Sequence, residues 1–547
     1  MEKQNNLFTF ATNILKVIKM NKFKVACLTA AIASSSVSFA GGLLTNTNQN
    51  VAFNRMMSRE ASIGIDGVYF NPAGVVFMGE GRYLSLNIQT AYQTRTINND
   101  YYLFTNNVNN PITPRDFKGK AFAPVIPSLQ YVYNKGRWSM QANFALTGGG
   151  GKCTFDNGLG SFEKIVSETA MAACGLAGAV DKALGAQMFT SDKAFGNQGK
   201  YSYDSYMHGR QYYYGVSLGA AYKVSDNFSA FAGVRGVYAL CNYYGYVRDI
   251  KVGATPLYSV LNPMRSDAAD IELSCDQSGL GFTPIVGVDF KTDRWNFSAK
   301  YEFKTRMRLK NKSVNHVPSI GNLADNLATK MNGILKQQLM GAGMSEEAAT
   351  IAAQQKTAAV LGDPTVTATM MGLKQQFDSK LDDAIGEYED GKKIANDIPS
   401  LLTVGVGFKP VDALRVNVGF HWFDDKNATS YNNRNKTLDR GTVEWSAGAE
   451  YDINKTFTVS TGWQNTNYGL SDEYMDDKSF VVSSNSVAIG GLVHLSKKMD
   501  LNVAYFHTFY EHKKTNEEVS LGTTKINYGS DYTRNNNVFG VGLDIKF

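Results

Sequence analysis

The sequence predicts an all-β membrane protein: a transmembrane β-barrel of about fourteen antiparallel strands, with an N-terminal plug and helical insertions in its outer loops. Three observations predict it. Runs of ten or more residues alternate apolar and polar positions with period two, as tilted membrane strands do. The connections alternate strictly between short and long. Beyond residue 40 no window holds 18 consecutive apolar residues, so a membrane-inserted form has to be a barrel.

The chain opens on a leader. Lys22 and Lys24 precede an apolar run, Val25 to Ala33, and small residues end in Ser38-Phe39-Ala40. This is the pattern of a secretory signal cut after Ala40, with 1–19 an upstream extension if Met20 is the start. Residues 1–40 hold five Lys against one Glu and so carry +4 of the formal +6. A mature chain near +2 gives no argument for nucleic acid as a partner. Mean hydropathy is −0.25 and charged residues make up 19%, which is neither a helical membrane protein nor a disordered chain.

Residues 41–80 follow, rich in apolar and small residues ("NVAFNRMMSREASIGIDGVYFNPAGVVFM"). A free tail needs no such composition. A segment tucked inside the barrel does, because it packs against the lumen wall and blocks the pore. Pro72 stiffens a turn and biases Asn71 away from helix.

Strands are then expected near 83–96, 125–134, 137–147, 208–224, 227–246, 279–290, 294–306, 399–409, 413–423, 440–452, 455–465, 484–496, 499–511 and 535–547. In the last of these, Phe539, Val541, Leu543, Ile545 and Phe547 alternate with Gly540, Gly542, Asp544 and Lys546, which places lipid on one face and a polar lumen on the other. The long connections are 97–124, 148–207, 247–278, 307–398, 424–439, 466–483 and 512–534. The two largest insertions, 148–207 and 307–398, contain helical patterns at 161–188 and 320–390, with a helix start at Ser345 before Glu346 and Glu347. Leu335, Leu339 and Met340 form an apolar stripe that either packs onto the loops or offers an apolar substrate a landing surface.

No catalytic residues, metal ligands or cofactor are expected. "GGGGKCT" (Gly148–Thr154) fails as a phosphate loop, because Leu146 stands where its first glycine belongs and Cys153 where Ser or Thr belongs. HExxH does not occur, and the six His show no metal spacing. A triad assembled at the rim is the enzyme alternative. The expected lumen charges are Arg235, Lys300, Glu302, Lys304, Arg415, Glu444, Glu450, Asp544 and Lys546. They pair among themselves, or Lys300, Arg415 and Arg235 hold a carboxylate head group. Cys153, Cys174, Cys241 and Cys275 remain after the leader, and their number permits two disulfides. Nearest-neighbour pairing, Cys153 with Cys174 and Cys241 with Cys275, is one of three connectivities.

The stretch "REASIGIDGVYFNPAG", with Asp66 followed by Asn71, Pro72, Ala73 and Gly74, resembles the N-terminal signature of the FadL family. These are outer-membrane transporters of long-chain fatty acids and aromatic hydrocarbons. "IPSLLTVGVGFKP" (Ile398–Pro410), entering a strand after the largest insertion, extends the likeness. The resemblance implies passive uptake of a fatty acid or other hydrophobic small molecule across the outer membrane of a Gram-negative bacterium, by a monomer embedded in outer-membrane lipid. It implies a hatch over 41–80 gated at Asn71, Pro72, Ala73 and Gly74. It also implies sideways release near the third strand, 137–147. A structural or adhesive barrel, or an open porin, is the alternative; a plug argues against the porin.

Overall fold

The computed structural model describes residues 43–189, 199–318, 322–521 and 524–547. The expected leader lies outside the described residues. The strands are β1 (Gly81–Tyr101), β2 (Arg115–Lys135), β3 (Trp138–Phe155), β4 (Tyr201–Lys223), β5 (Phe228–Val252) and β6 (Ile271–Lys291). They continue as β7 (Trp295–Glu302, resuming at Arg308–His316), β8 (Leu401–Val411), β9 (Leu414–Phe423) and β10 (Thr442–Asp452). The last are β11 (Phe457–Asn467), β12 (Ser484–Ser496), β13 (Met499–Tyr510, extended by Lys513–Leu521) and β14 (Thr524–Lys546). Each pairs antiparallel with the next, and β14 pairs with β1 from Tyr83↔Lys546 to Tyr101↔Tyr528, closing a 14-stranded barrel.

Period two sets the faces. Along β14, Phe539 and Val541 are 58% and 52% exposed while Val538 is fully buried. Leu218, Phe282, Ile489 and Val503 continue the outward apolar surface around the barrel. A contiguous surface of this kind is stable only against hydrocarbon. The stacked pair Trp295 and Phe408 (4.2 Å) and the tilted pair Trp138 and Tyr222 (4.8 Å) lie at the end that carries the short turns. Amphipathic rings of this type favour a membrane–water boundary.

All fourteen expected strands are present, and several are longer than expected. β1, β2 and β6 each have 21 residues, β4 and β14 have 23 and β5 has 25. About 9–11 residues cross a membrane, so these strands continue beyond it. Most of 97–124 and 512–534 is therefore wall rather than loop. The insertion expected at 148–207 narrows to 156–200, because alternation persists through Phe155 and resumes at Tyr201. Part of 307–398 likewise extends β7 as Arg308–His316.

Two further expectations are corrected. Lys304 is not a lumen residue. β7 breaks after Glu302 and resumes with inward and outward positions exchanged, so Lys304 is exposed and its Nζ donates to the Asn427 carbonyl (3.1 Å). All four cysteines are free thiols. Cys241 faces Gln277 and Cys275 faces Tyr243, a diagonal offset of about 7–8 Å that keeps the thiols apart.

After the short α1 (Val51–Met56) and α2 (Gly67–Phe70), helices cover the mouth with the long connections: α3 (Gly160–Leu184), the short α4 (Tyr258–Leu261), and an insertion of α5 (Leu323–Gly341), α6 (Glu346–Leu361) and α7 (Pro364–Ile385). Ser345 caps α6 as expected, accepting from the Ala348 amide. Leu335 is buried with Leu323, Leu327 and Met331, whereas Met340 is exposed. Replacing Ile489, 63% exposed on β12, by Arg is expected to cost about 2–4 kcal/mol if the position lies at the bilayer midplane. Guanidinium unfolding in lipid vesicles measures it, and an unchanged midpoint would place the residue outside hydrocarbon.

Candidate functional site

Residues 45–78 lie within the barrel and are almost wholly buried. α1 (Val51–Met56) is capped by Asn50, whose side chain accepts from the Ala52 amide (2.7 Å), and ends at Met57 in the left-handed region (φ 57°). α2 (Gly67–Phe70) and a 3₁₀ turn (Gly74–Met78) flank Asn71-Pro72-Ala73. Phe53 stacks on Phe70 (5.2 Å), folding the segment on itself.

Polar side chains lace the segment to the wall. Gln89 of β1 accepts from Asn48 (3.1 Å) and Asn54 (2.7 Å) and donates to the Asn48 carbonyl (2.8 Å). Gln130 of β2 accepts from Asn50 (2.8 Å) and donates to the Gln49 carbonyl (3.0 Å). Charges fix the opposite wall. Arg59 grips Asp66 through two bonds (2.7 and 3.0 Å) and lies 3.1 Å from Glu450, which also pairs with Arg55. His421 sits between Glu60 (3.0 Å) and Glu444 (2.8 Å).

The four predicted gate residues come together at one turn. The Asn71 side chain donates to Asp289 of β6 (2.6 Å) and accepts from the Gly74 amide (3.1 Å). The Pro72 carbonyl accepts from Gln141 of β3 (2.7 Å), and the Ala73 carbonyl from Ser229 of β5 (2.7 Å). Three consecutive residues are thus tied to three different strands.

The three predicted head-group cations are already charge-compensated. Lys300 donates to Glu302 (2.8 Å) and to the Tyr69 carbonyl (2.6 Å). Arg235 pairs with the same Glu302. Arg415 forms two bonds to Asp452 (2.7 and 2.6 Å) and lies 3.3 Å from Glu450. A ligand carboxylate would have to displace these partners.

The wall is interrupted beside the segment between β2 and β3, as it also is between β6 and β7, where pairing passes from Ile285↔Glu302 to Ser278↔Lys310. The β2–β3 ladder passes from Phe122↔Lys152 to Leu129↔Phe144, leaving 123–128 and 145–151 without cross-strand partners between these strands. Pro124 and Pro127 lie within the gap and cannot donate. Gly149 is at φ +67°, and β3 bulges against β4 at Thr147 and Gly150. From inside, the Asn46 amide donates to the Thr147 carbonyl (2.9 Å) and the Asn46 side chain to the Gly149 carbonyl (2.6 Å). Gly148 is required there, because a Cβ would come within 2.5 Å of the Leu44 carbonyl. Sequence reasoning missed this contact. The run "TNTNQN" (Thr45–Asn50) was its signal: polar amides beside an apolar segment, suited to a polar wall.

Replacing Asp289 by Ala removes one acceptor from each of the buried Asn71 and Asn296 amides, which keep only the Ser62 (3.4 Å) and Ala61 (2.8 Å) carbonyls, a cost of about 1–3 kcal/mol. Backbone amide exchange over 69–76, followed by mass spectrometry, is expected to rise about tenfold or more while the strands stay protected. Unchanged exchange would mean that this carboxylate does not hold the turn.

No family model and no curated protein matches this chain. Among solved structures, it is similar to a Pseudomonas aeruginosa FadL homologue at 14% identity, over 93% of this chain and 100% of the other, with a TM-score of 0.56. The Pseudomonas putida toluene transporter TodX matches at 13% identity over 93% and 100%, TM-score 0.46. The Ralstonia pickettii toluene transporter TbuX matches at 14% over 88% and 94%, TM-score 0.44. The closed barrel, its inner segment and the first of these likenesses together give the chain a FadL-like fold.

Proposed function

We propose that this chain is an outer-membrane transporter that takes up hydrophobic small molecules passively, with residues 41–80 as its hatch and the β2–β3 gap as a sideways exit. The observation that carries the reading is the gap itself, backed from inside by Asn46 of the buried segment. A hydrophobic solute gains by passing through a wall into lipid rather than along a polar lumen. Displacing the segment and opening the gap are one event on this reading, because the Asn46 amide and side chain both bond to β3 carbonyls within the gap. Asn71, Pro72, Ala73 and Gly74 form the turn about which the segment shifts, and the buried charges on the opposite wall keep its other flank in place. The filled lumen speaks against an open porin. The reading calls for no cofactor and no catalytic residue, and it describes a monomer in lipid.

Oleate uptake tests it, in cells lacking their own long-chain fatty-acid transporter and displaying the folded barrel. The intact chain is expected to support uptake. Gly148→Val, which forces Leu44 away from β3, is expected to change the rate severalfold. Deleting 43–78 is expected to turn a barrel silent in planar bilayers into a conducting pore. No uptake of oleate or toluene by the intact barrel would overturn the reading and favour an adhesive role for the outer loops.

A further inference from the structure

Two buried arginines are treated unlike the other buried cations. Arg95 of β1 and Arg534 of β14 are direct register partners across the seam that closes the barrel, and both point inward at 1% and 6% exposure. The other buried Arg and Lys side chains among the described residues, Arg55, Arg59, Lys164, Arg235, Lys300 and Lys478, each pair with a carboxylate. Arg95 and Arg534 form no ion pair among the described residues. The Nη1 and Nη2 of Arg95 and the Nε and Nη2 of Arg534 have no hydrogen-bond partner. Only the Arg95 Nε is engaged, donating to Gln93 (3.1 Å).

Like charges directly opposite on paired strands repel, and a buried charge without a counter-ion is costly. A structural role does not explain two of them side by side. Aromatic rings and a thiol surround them, Tyr468, Tyr510 and Cys153 among them. The Phe480 ring lies 4.9 Å from the Arg534 guanidinium carbon and 6.0 Å from that of Arg95. Phe480, Tyr532 and Val538 belong to the apolar cluster that fills the mouth beneath α3. Arg95 is six residues along β1 from Gln89, which binds the inner segment, or about 20 Å toward the mouth. An incoming molecule would meet these guanidinium groups before the segment.

We propose that Arg95 and Arg534 form a binding site for the anionic head of an amphiphile, a carboxylate, sulfate or phosphate on an apolar chain, whose tail lies in the surrounding aromatic cluster. Guanidinium groups present paired donors matched to such oxyanions. The inference deepens the transport reading and rests on it only for the direction of travel. It gives this barrel a preference for charged amphiphiles over neutral hydrophobes.

Binding of oleate and of oleyl alcohol to the purified, detergent-solubilised protein tests it, with inorganic phosphate as competitor. The Arg95→Met, Arg534→Met double variant is expected to lose oleate affinity about ten- to hundredfold, to keep oleyl alcohol affinity, and to unfold at the same or a higher temperature. Arg95→Lys, Arg534→Lys is expected to keep most of the oleate affinity. Unchanged oleate affinity in the folded Met variant would overturn the proposal. An equal fall for both ligands would do so as well, because it would mean apolar packing. Inorganic phosphate binding as tightly as oleate would show a free-anion site and also overturn it. Because binding is read without uptake, Arg-dependent oleate binding by a barrel that transports nothing would sink the transport reading alone.

Discussion

The closed backbone ladder is the constraint on which everything else depends. Hydrocarbon offers no partner to an N–H or C=O group, so a spanning sheet must pair every strand on both edges. The β14–β1 pairing completes that circuit. Having met the condition all round, the barrel can relax it locally, as it does between β2 and β3. There Pro124 and Pro127 remove donors on β2, and Asn46 satisfies acceptors on β3. A gap that would be costly in an isolated wall is here satisfied from inside by the buried segment.

The lumen follows a second logic, that of compensated charge. Glu450 lies among Arg55, Arg59 and Arg415, and Glu302 between Arg235 and Lys300. Such clusters add little net stability over apolar packing, but breaking one partner out is expensive. They specify one seat for the inner segment. Amides do the rest: Gln89 and Gln130 read backbone and side chain together.

Much of this was legible in the sequence. Period-two alternation gave each strand and its faces, because one face meets lipid and errors of register invert it. "NPAG" marked the turn that three strands hold. The strand ends were not legible, because alternation says where a sheet is amphipathic and not where the bilayer stops. Lys304 was misplaced because an interruption of β7 exchanges inside for outside with no Gly or Pro to announce it. The pairing of Arg95 with Arg534 joins opposite ends of the chain, and only closure of the barrel brings them together.

The wall is uneven in height. β4, β5 and β14 run to 23–25 residues, whereas β8 to β12 have 10–13. At about 3.3 Å per residue and a tilt near 40°, the tall side stands roughly twice as high as the low one. The rim therefore slopes like a cowl, and the three-helix insertion springs from its low side, between β7 and β8. A molecule dispersed in the headgroup layer would meet a palisade from one direction and a sill from the other. For the uptake proposed above, arrival would be directional in the plane of the membrane, and neighbours crowding the low side would shade the entrance where those crowding the tall side would not.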